Sequence, residues 1–180
     1  DEHEIIHGIL DGIAHAHANN ILHRDIKPGN ILLDWVDNDD ENASFVPLLC
    51  DFGTSKTFSR DTIQQSEHTV VGLRTRPYRP EFTESSALEK KELAHQKTWD
   101  LFAWAILTIE LLADRSVDSS QEALEVLDAE IAPKLDEEIV ELIKSALSLN
   151  PNLRPHDTDD FRQKLCKLTE YRKKRLAWTS

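Results

Sequence analysis

The densest chemistry in this sequence lies in "HRDIKPGN", residues 23 to 30, where an imidazole, two cations, a carboxylate, a proline and an amide directly precede the apolar run "ILL". Asp25 and Asn30 bracket the stretch, and a second carboxylate, Asp51, follows in "CDFG". Two carboxylates and an amide suit hard divalent cations, which take oxygen donors, and one carboxylate can stay back to orient a hydroxyl or accept its proton. That set fits phosphoryl transfer, because a metal bridging phosphate oxygens offsets the charge that an acidic protein would otherwise repel. Taken singly, Asp25 and Asn30 are residue types of ordinary turns and caps. Their combination with Asp51 is what points to chemistry. His3 and His7 lie one helical turn apart, a spacing open to a metal, but the sequence offers no third donor beside them. His15 and His17, two apart, face different sides of a helix and read as packing or solvated residues.

Such side chains need a frame. From Glu4 to about Ala18, the residues Ile5, Ile6, Ile9, Leu10 and Ile13 form the stripe of an amphipathic helix, which Asn19 and Asn20 end. "NILLD" (Asn30 to Asp34) and "FVPLLC" (Phe45 to Cys50) are short apolar runs around the polar "WVDNDDENAS", the pattern of a long hairpin with an acidic tip in water. From Thr54 to Glu84 no period is sustained, and so long an irregular segment in a compact domain usually has a use. "TWDLFAWAILTIELLADR" (Thr98 to Arg115) is apolar on nearly every side and predicts a helix through the core, which makes Asp100 conspicuous. Helices are expected over "SQEALEVLDAEI" and "DEEIVELIKSALSL", a turn at "NPNLRP", and a last helix from about Asp157 into "YRKKRLAW". The basic cluster Arg172 to Arg175 falls in the final turns of that helix, where cations favour the helix dipole.

The 180 residues suit one domain, 1–180, with a core. Thirty-three acidic against 21 basic residues leave a net charge of -12, which argues against nucleic-acid binding. Cys50 and Cys166 suggest neither a disulfide framework nor a zinc knuckle, so a reducing, intracellular compartment, cytoplasmic or nuclear, is expected. No apolar stretch is long enough to span a bilayer and no leader opens the sequence, so no membrane partner is expected.

"HRDIKPGN" followed by "CDFG" resembles the catalytic loop and metal-binding turn of the eukaryotic protein kinases. Seven positions, His23, Arg24, Asp25, Asn30, Asp51, Phe52 and Gly53, would coincide by chance on the order of once in 10^9 alignments at about 5% usage each. Downstream, "TRPYRPE" is similar to the end of a kinase activation segment, Asp100 to the aspartate of the family's central helix, and Arg154 to its late arginine. The resemblance implies an α+β, mainly α-helical fold: a protein-kinase-like C-terminal lobe with a short β-hairpin carrying the catalytic and DFG loops. It implies ATP and Mg2+ as cofactors and a protein hydroxyl as acceptor. Asp25 would orient the hydroxyl or take its proton, Asn30 and Asp51 would hold magnesium, and Lys27 would sit near the transferred phosphate. Leu32 would form the floor beneath adenine. Lys27, two places after Asp25, is the serine/threonine version of the loop.

The same resemblance implies supporting roles. Arg24 would grip a phosphorylated activation segment, with Thr57, Ser59, Thr62, Ser66 and Thr69 as candidate acceptors. His23 and Phe52 would stack, Asp100 would bond the backbone of the His23–Arg24 turn, and Arg154 would pair with Glu81. Thr75 matches the threonine that bonds the catalytic aspartate. No glycine-rich loop, strand lysine or helix glutamate of the kinase small lobe stands before Asp25. The expectation is therefore a partial catalytic domain that needs an N-terminal lobe or a partner protein. Two alternatives remain: a non-catalytic kinase-like interaction module, and a small-molecule phosphotransferase of kinase-like fold, which Lys27, "DFG" and the segment from Thr54 to Glu81 disfavour.

Overall fold

In a computed structural model, residues 2–36, 44–52, 56–57, 77–78, 80 and 93–179 are described, the side chains of 36, 44, 56–57, 93–96 and 170–179 excepted. In chain order these residues form α1 (Glu2–Ala18), β1 (Ile21–Leu22), β2 (Ile31–Val36), β3 (Ser44–Leu49), β4 (Lys56–Thr57), α2 (Leu93–Ala113), α3 (Ser120–Val126), α4 (Glu137–Ala146) and α5 (Thr158–Thr179). The architecture is mostly helical with two small antiparallel ladders, β1–β4 and β2–β3.

The apolar helix foreseen from Thr98 is the axis of the core, and it begins a turn earlier, at Leu93. Leu101, Phe102, Trp104, Ala105, Ile106 and Ile109 are all fully buried, which explains why the sequence shows no polar face there. Each such aliphatic side chain withdrawn from water contributes about 1.5–3 kcal/mol. Trp104 has a polar handle to satisfy, and its Nε1–H donates to the Ile6 carbonyl of α1 at 3.0 Å. Its ring meets Phe161 of α5 edge-on, centroids 5.3 Å apart. One side chain thus ties α1, α2 and α5 together.

α1 buries Ile6, Ile9, Leu10, Ile13, Ala16 and His17. Its two glycines make room for the hairpin: a Cβ on Gly8 would stand 2.5 Å from Pro47 Cγ, and one on Gly12 would stand 3.0 Å from Leu49 Cδ1. The hairpin itself runs in simple register from Ile31 opposite Leu49 to Val36 opposite Ser44. On one face Trp35 and Phe45, directly paired, pack edge-on with centroids 4.9 Å apart. On the other face lie Leu32, Val46 and Leu48, all exposed.

Local signals end the remaining elements as their residues dictate. The Ser119 side chain accepts from Glu122 N–H at 3.1 Å and caps α3. α3 passes into a π-turn at Leu127–Ile131 and a 3-10 turn at Ala132–Lys134, where Pro133 cannot continue a helix ladder. "NPNLRP" holds the 3-10 turn Pro151–Leu153, with the Asn150 side chain accepting from Asn152 N–H. Asp157 caps α5 by accepting from the N–H groups of Asp159 and Asp160, both at 3.0 Å. Helix α5 continues through Arg172 to Arg175, whose side chains lie outside the described residues.

Candidate active site

"HRDIKPGN" joins β1 to β2 as a loop that ends in the 3-10 turn Pro28–Asn30. Pro28 presets that turn, since its missing N–H would have no ladder partner there. Two carboxylates organise the loop, one inside it and one behind it.

The inner carboxylate is Asp25. Its Oδ2 accepts from Lys27 Nζ at 2.7 Å and from Asn30 Nδ2 at 3.1 Å, and the same Asn30 Nδ2 donates to the Asp25 carbonyl at 2.7 Å. Asp25, Lys27 and Asn30 therefore form one cluster. Asn30 is buried, and with its nitrogen committed to Asp25 its Oδ1 is turned to the other side. The Asn30 carbonyl accepts from Cys50 N–H at 2.9 Å, which draws the end of β3 to the end of the loop. Asp51 follows at once, exposed, with a left-handed φ of 61°. An amide oxygen and a carboxylate brought to one end of a hairpin are donors of the type that hard divalent cations take, so these residues fit Mg2+.

The outer carboxylate is Asp100, 1% exposed at the start of the buried run of α2. Its Oδ2 accepts from His23 N–H at 2.9 Å and its Oδ1 from Arg24 N–H at 2.8 Å. Arg24 needs that support: its φ of 67° is left-handed, a conformation that costs a non-glycine residue about 1–3 kcal/mol unless its surroundings hold it. His23 Nε2 lies 3.0 Å from the Cys50 carbonyl, and its ring meets Phe52 with centroids 4.6 Å apart. His23 thus links the loop to the turn that carries Asp51.

Other foreseen residues fall in different places. Arg154, buried, donates from Nε to the Ser148 carbonyl at 2.6 Å and from its terminal nitrogens to Thr98 Oγ1 and the Leu149 carbonyl, while its guanidinium lies 5.3 Å from the Phe102 ring centroid. Leu32 lies on the open face of the hairpin, 57% exposed. Gly53, Thr75, Glu81, Ser59, Thr62, Ser66 and Thr69 lie outside the described residues, as does the side chain of Thr57. His3 and His7 gather no third donor into a metal cluster among the described residues, and His7 Nδ1 instead faces Cys166 Sγ at 3.7 Å.

Two interactions were not foreseen. His17, read from the sequence as packing or solvated, is buried and bonded: Nε2 lies 2.8 Å from Asp100 Oδ2 and Nδ1 lies 2.7 Å from Thr158 Oγ1. Its signal was its place four residues after Ile13 on the apolar stripe, whereas His15 is off the stripe and exposed. Tyr78 donates its hydroxyl to the carboxylate of Glu110, whose other oxygen accepts from Val117 N–H at 2.9 Å. Burial first, then the bond to Glu110 and its charge, push the Tyr78 hydroxyl well above the usual phenol range.

The family profile described as "Protein kinase domain" matches residues 1–168. The chain is 33% identical to mitogen-activated protein kinase MPS1 of Pyricularia oryzae over 61% of its length, covering 23% of that protein. It is 28% identical to mouse cyclin-dependent kinase-like 2 over 86% of its length, covering 31% of that protein, and 30% identical to serine/threonine-protein kinase NLK2 of Xenopus laevis over 68%, covering 24%. The chain thus spans about a quarter to a third of the length of these relatives.

Proposed function

This chain belongs to the eukaryotic serine/threonine protein kinase family, and we propose that it carries the catalytic-loop half of a kinase domain and takes part in moving the terminal phosphate of ATP to a protein hydroxyl. The observation that supports this most is the cluster of Asp25, Lys27 and Asn30, tied through the Asn30 carbonyl and Cys50 N–H to the turn bearing Asp51. Each of its parts has a chemical use.

Asp25, steadied by Lys27 and Asn30, orients the acceptor hydroxyl and takes its proton. Lys27 Nζ, now on Asp25, is two residues from it and can share its charge with an incoming phosphate, which lowers the cost of the negative charge developing in transfer. Asn30 Oδ1 and Asp51 would hold Mg2+, which when bound supplies positive charge across the phosphate oxygens. Leu32, exposed beside Leu48 on the hairpin, offers an apolar bed of the kind a purine base rests on. A segment covering that face, whether from the same polypeptide or from a partner, would complete the nucleotide site.

The test is transfer of radiolabel from ATP with magnesium to a general protein substrate, run on this chain and on a form extended upstream. The expected result is transfer by the extended form that drops about 10^2–10^4-fold in Asp25→Asn. Absence of transfer in both forms would overturn the enzymatic reading and leave a non-catalytic kinase-like interaction module in its place.

A further inference from the structure

The β2–β3 hairpin leaves one row of backbone groups open. Cys50 N–H donates to the Asn30 carbonyl, so in this antiparallel register the hydrogen-bonded pairs are Leu32 with Leu48, Asp34 with Val46 and Val36 with Ser44. The N–H and C=O groups of Leu33 and Trp35 therefore point away from β3, as does the carbonyl of Ile31, whose N–H is spent on the Pro28 carbonyl. On the far side of β3 the same alternation turns the Pro47 nitrogen outward, where its missing N–H costs the ladder nothing and blunts that edge. β3 also packs on α1, with Pro47 at Gly8 and Leu49 at Gly12. β2 has neither protection: among the described residues no strand pairs with its outer edge, and Leu32, Leu33 and Trp35 are exposed along it.

We propose that the outer edge of β2 is an interface for a second copy of this chain, the two β2 strands pairing antiparallel about a twofold axis through Leu33. A strand that joins this edge must be apolar on both faces and carry complementary backbone groups in the matching order, and β2 itself meets both needs. In the register centred on Leu33, each Leu33 N–H meets the Leu33 carbonyl of the other copy, and each Trp35 N–H meets the other copy's Ile31 carbonyl. Trp35 then lies opposite Ile31 of the other copy, an aromatic side chain against a β-branched one. A register centred on Asp34 would set two carboxylates directly opposite each other, and one centred on Leu32 would need for its central bonds the Ile31 N–H that Pro28 holds. The net charge of -12 opposes the pairing, so salt strengthens it. This interface goes beyond the kinase reading and does not depend on it.

The test follows amide exchange by nuclear magnetic resonance on this chain, labelled with nitrogen-15, at low and high protein concentration, with sedimentation to give the mass. At high concentration and raised salt the expected species is a dimer in which the Leu33 and Trp35 amides exchange about tenfold more slowly than in the dilute monomer. The Leu32 and Asp34 amides, bonded within the hairpin, should change little. Leu33→Pro removes the donor on the twofold axis and leaves the β2–β3 ladder whole, so it should weaken the dimer about tenfold while the Ile106 amide in the core keeps its protection. Cysteine variants read the register without a proline. Leu33→Cys should form an interchain disulfide in air, since Cα atoms of such a pair stand about 5.5 Å apart. Asp34→Cys, roughly 8 Å from its mate, should form no more than wild type does with Cys50 and Cys166. A mass that stays monomeric, or a dimer with unchanged exchange at Leu33 and Trp35, would overturn the proposal. So would protection of both amides already at low concentration, which would put another segment of the same chain on the edge.

Discussion

A buried carboxylate is costly to keep charged unless donors surround it, and Asp100 has the N–H groups of His23 and Arg24 and the ring of His17. Asp100→Ala would strand all three, and we expect a loss of about 3–5 kcal/mol in urea unfolding. A cost within 1 kcal/mol of zero would mean that the turn holds itself. Tyr78 gives a prediction of opposite chemical sense. Its folded-state pKa is raised above the unfolded value of about 10, so the bond to Glu110 contributes fully below pH 10 and is lost as pH climbs toward the raised folded value. Stability measured from pH 8 to 11 should fall more steeply in wild type than in Tyr78→Phe, and parallel curves would contradict this. Most of the residues around the loop were legible because their types and spacing are dictated by chemistry that side chains must do together. His17 was not, since a histidine on an apolar stripe has no chemical partner until tertiary structure supplies Asp100 and Thr158.

At the level of elements, the contact of α1 with β3 depends on what Gly8 lacks. A methyl there would meet the Pro47 ring at 2.5 Å, and neither a proline ring nor a helix backbone gives way easily. Gly8→Ala should therefore destabilise by about 1–3 kcal/mol, although alanine favours an isolated helix. An increase in unfolding midpoint would show that the hairpin can shift. The hairpin was legible from its two apolar runs, and α2 from its lack of a polar face, because burial on one side or on all sides leaves its period in the sequence. The start of α2 at Leu93 was less so, as "LAHQK" carries no cap signal that separates it from what precedes. The π-turn at Leu127–Ile131 was also hidden: one extra residue in a turn keeps Leu127 and Ile131 buried without changing the apolar spacing enough to be noticed.

For the molecule as a whole, the hairpin sets an apolar surface against an acidic background. Leu32, Val46 and Leu48 on one face, with Leu33, Trp35 and Phe45 on the other, are all exposed, while the net charge of -12 resists association. This chain is expected to self-associate with rising concentration in light scattering, more strongly as salt screens the repulsion, and a double change of Val46 and Leu48 to Lys should suppress it. A constant monomer mass at all concentrations and salts would count against an adhesive hairpin. The mutual packing of α1 and α5 bears on a different stage of the protein's life. His7 meets Cys166, Asp11 meets Arg162 and His17 meets Thr158 across 159, 151 and 141 residues of chain. A ribosome adding about 5–20 residues per second finishes α1 many seconds before it makes α5. Throughout that interval the apolar stripe of α1 has no α5 to close over it, so the packing of α1 can be completed only after α5 has been made.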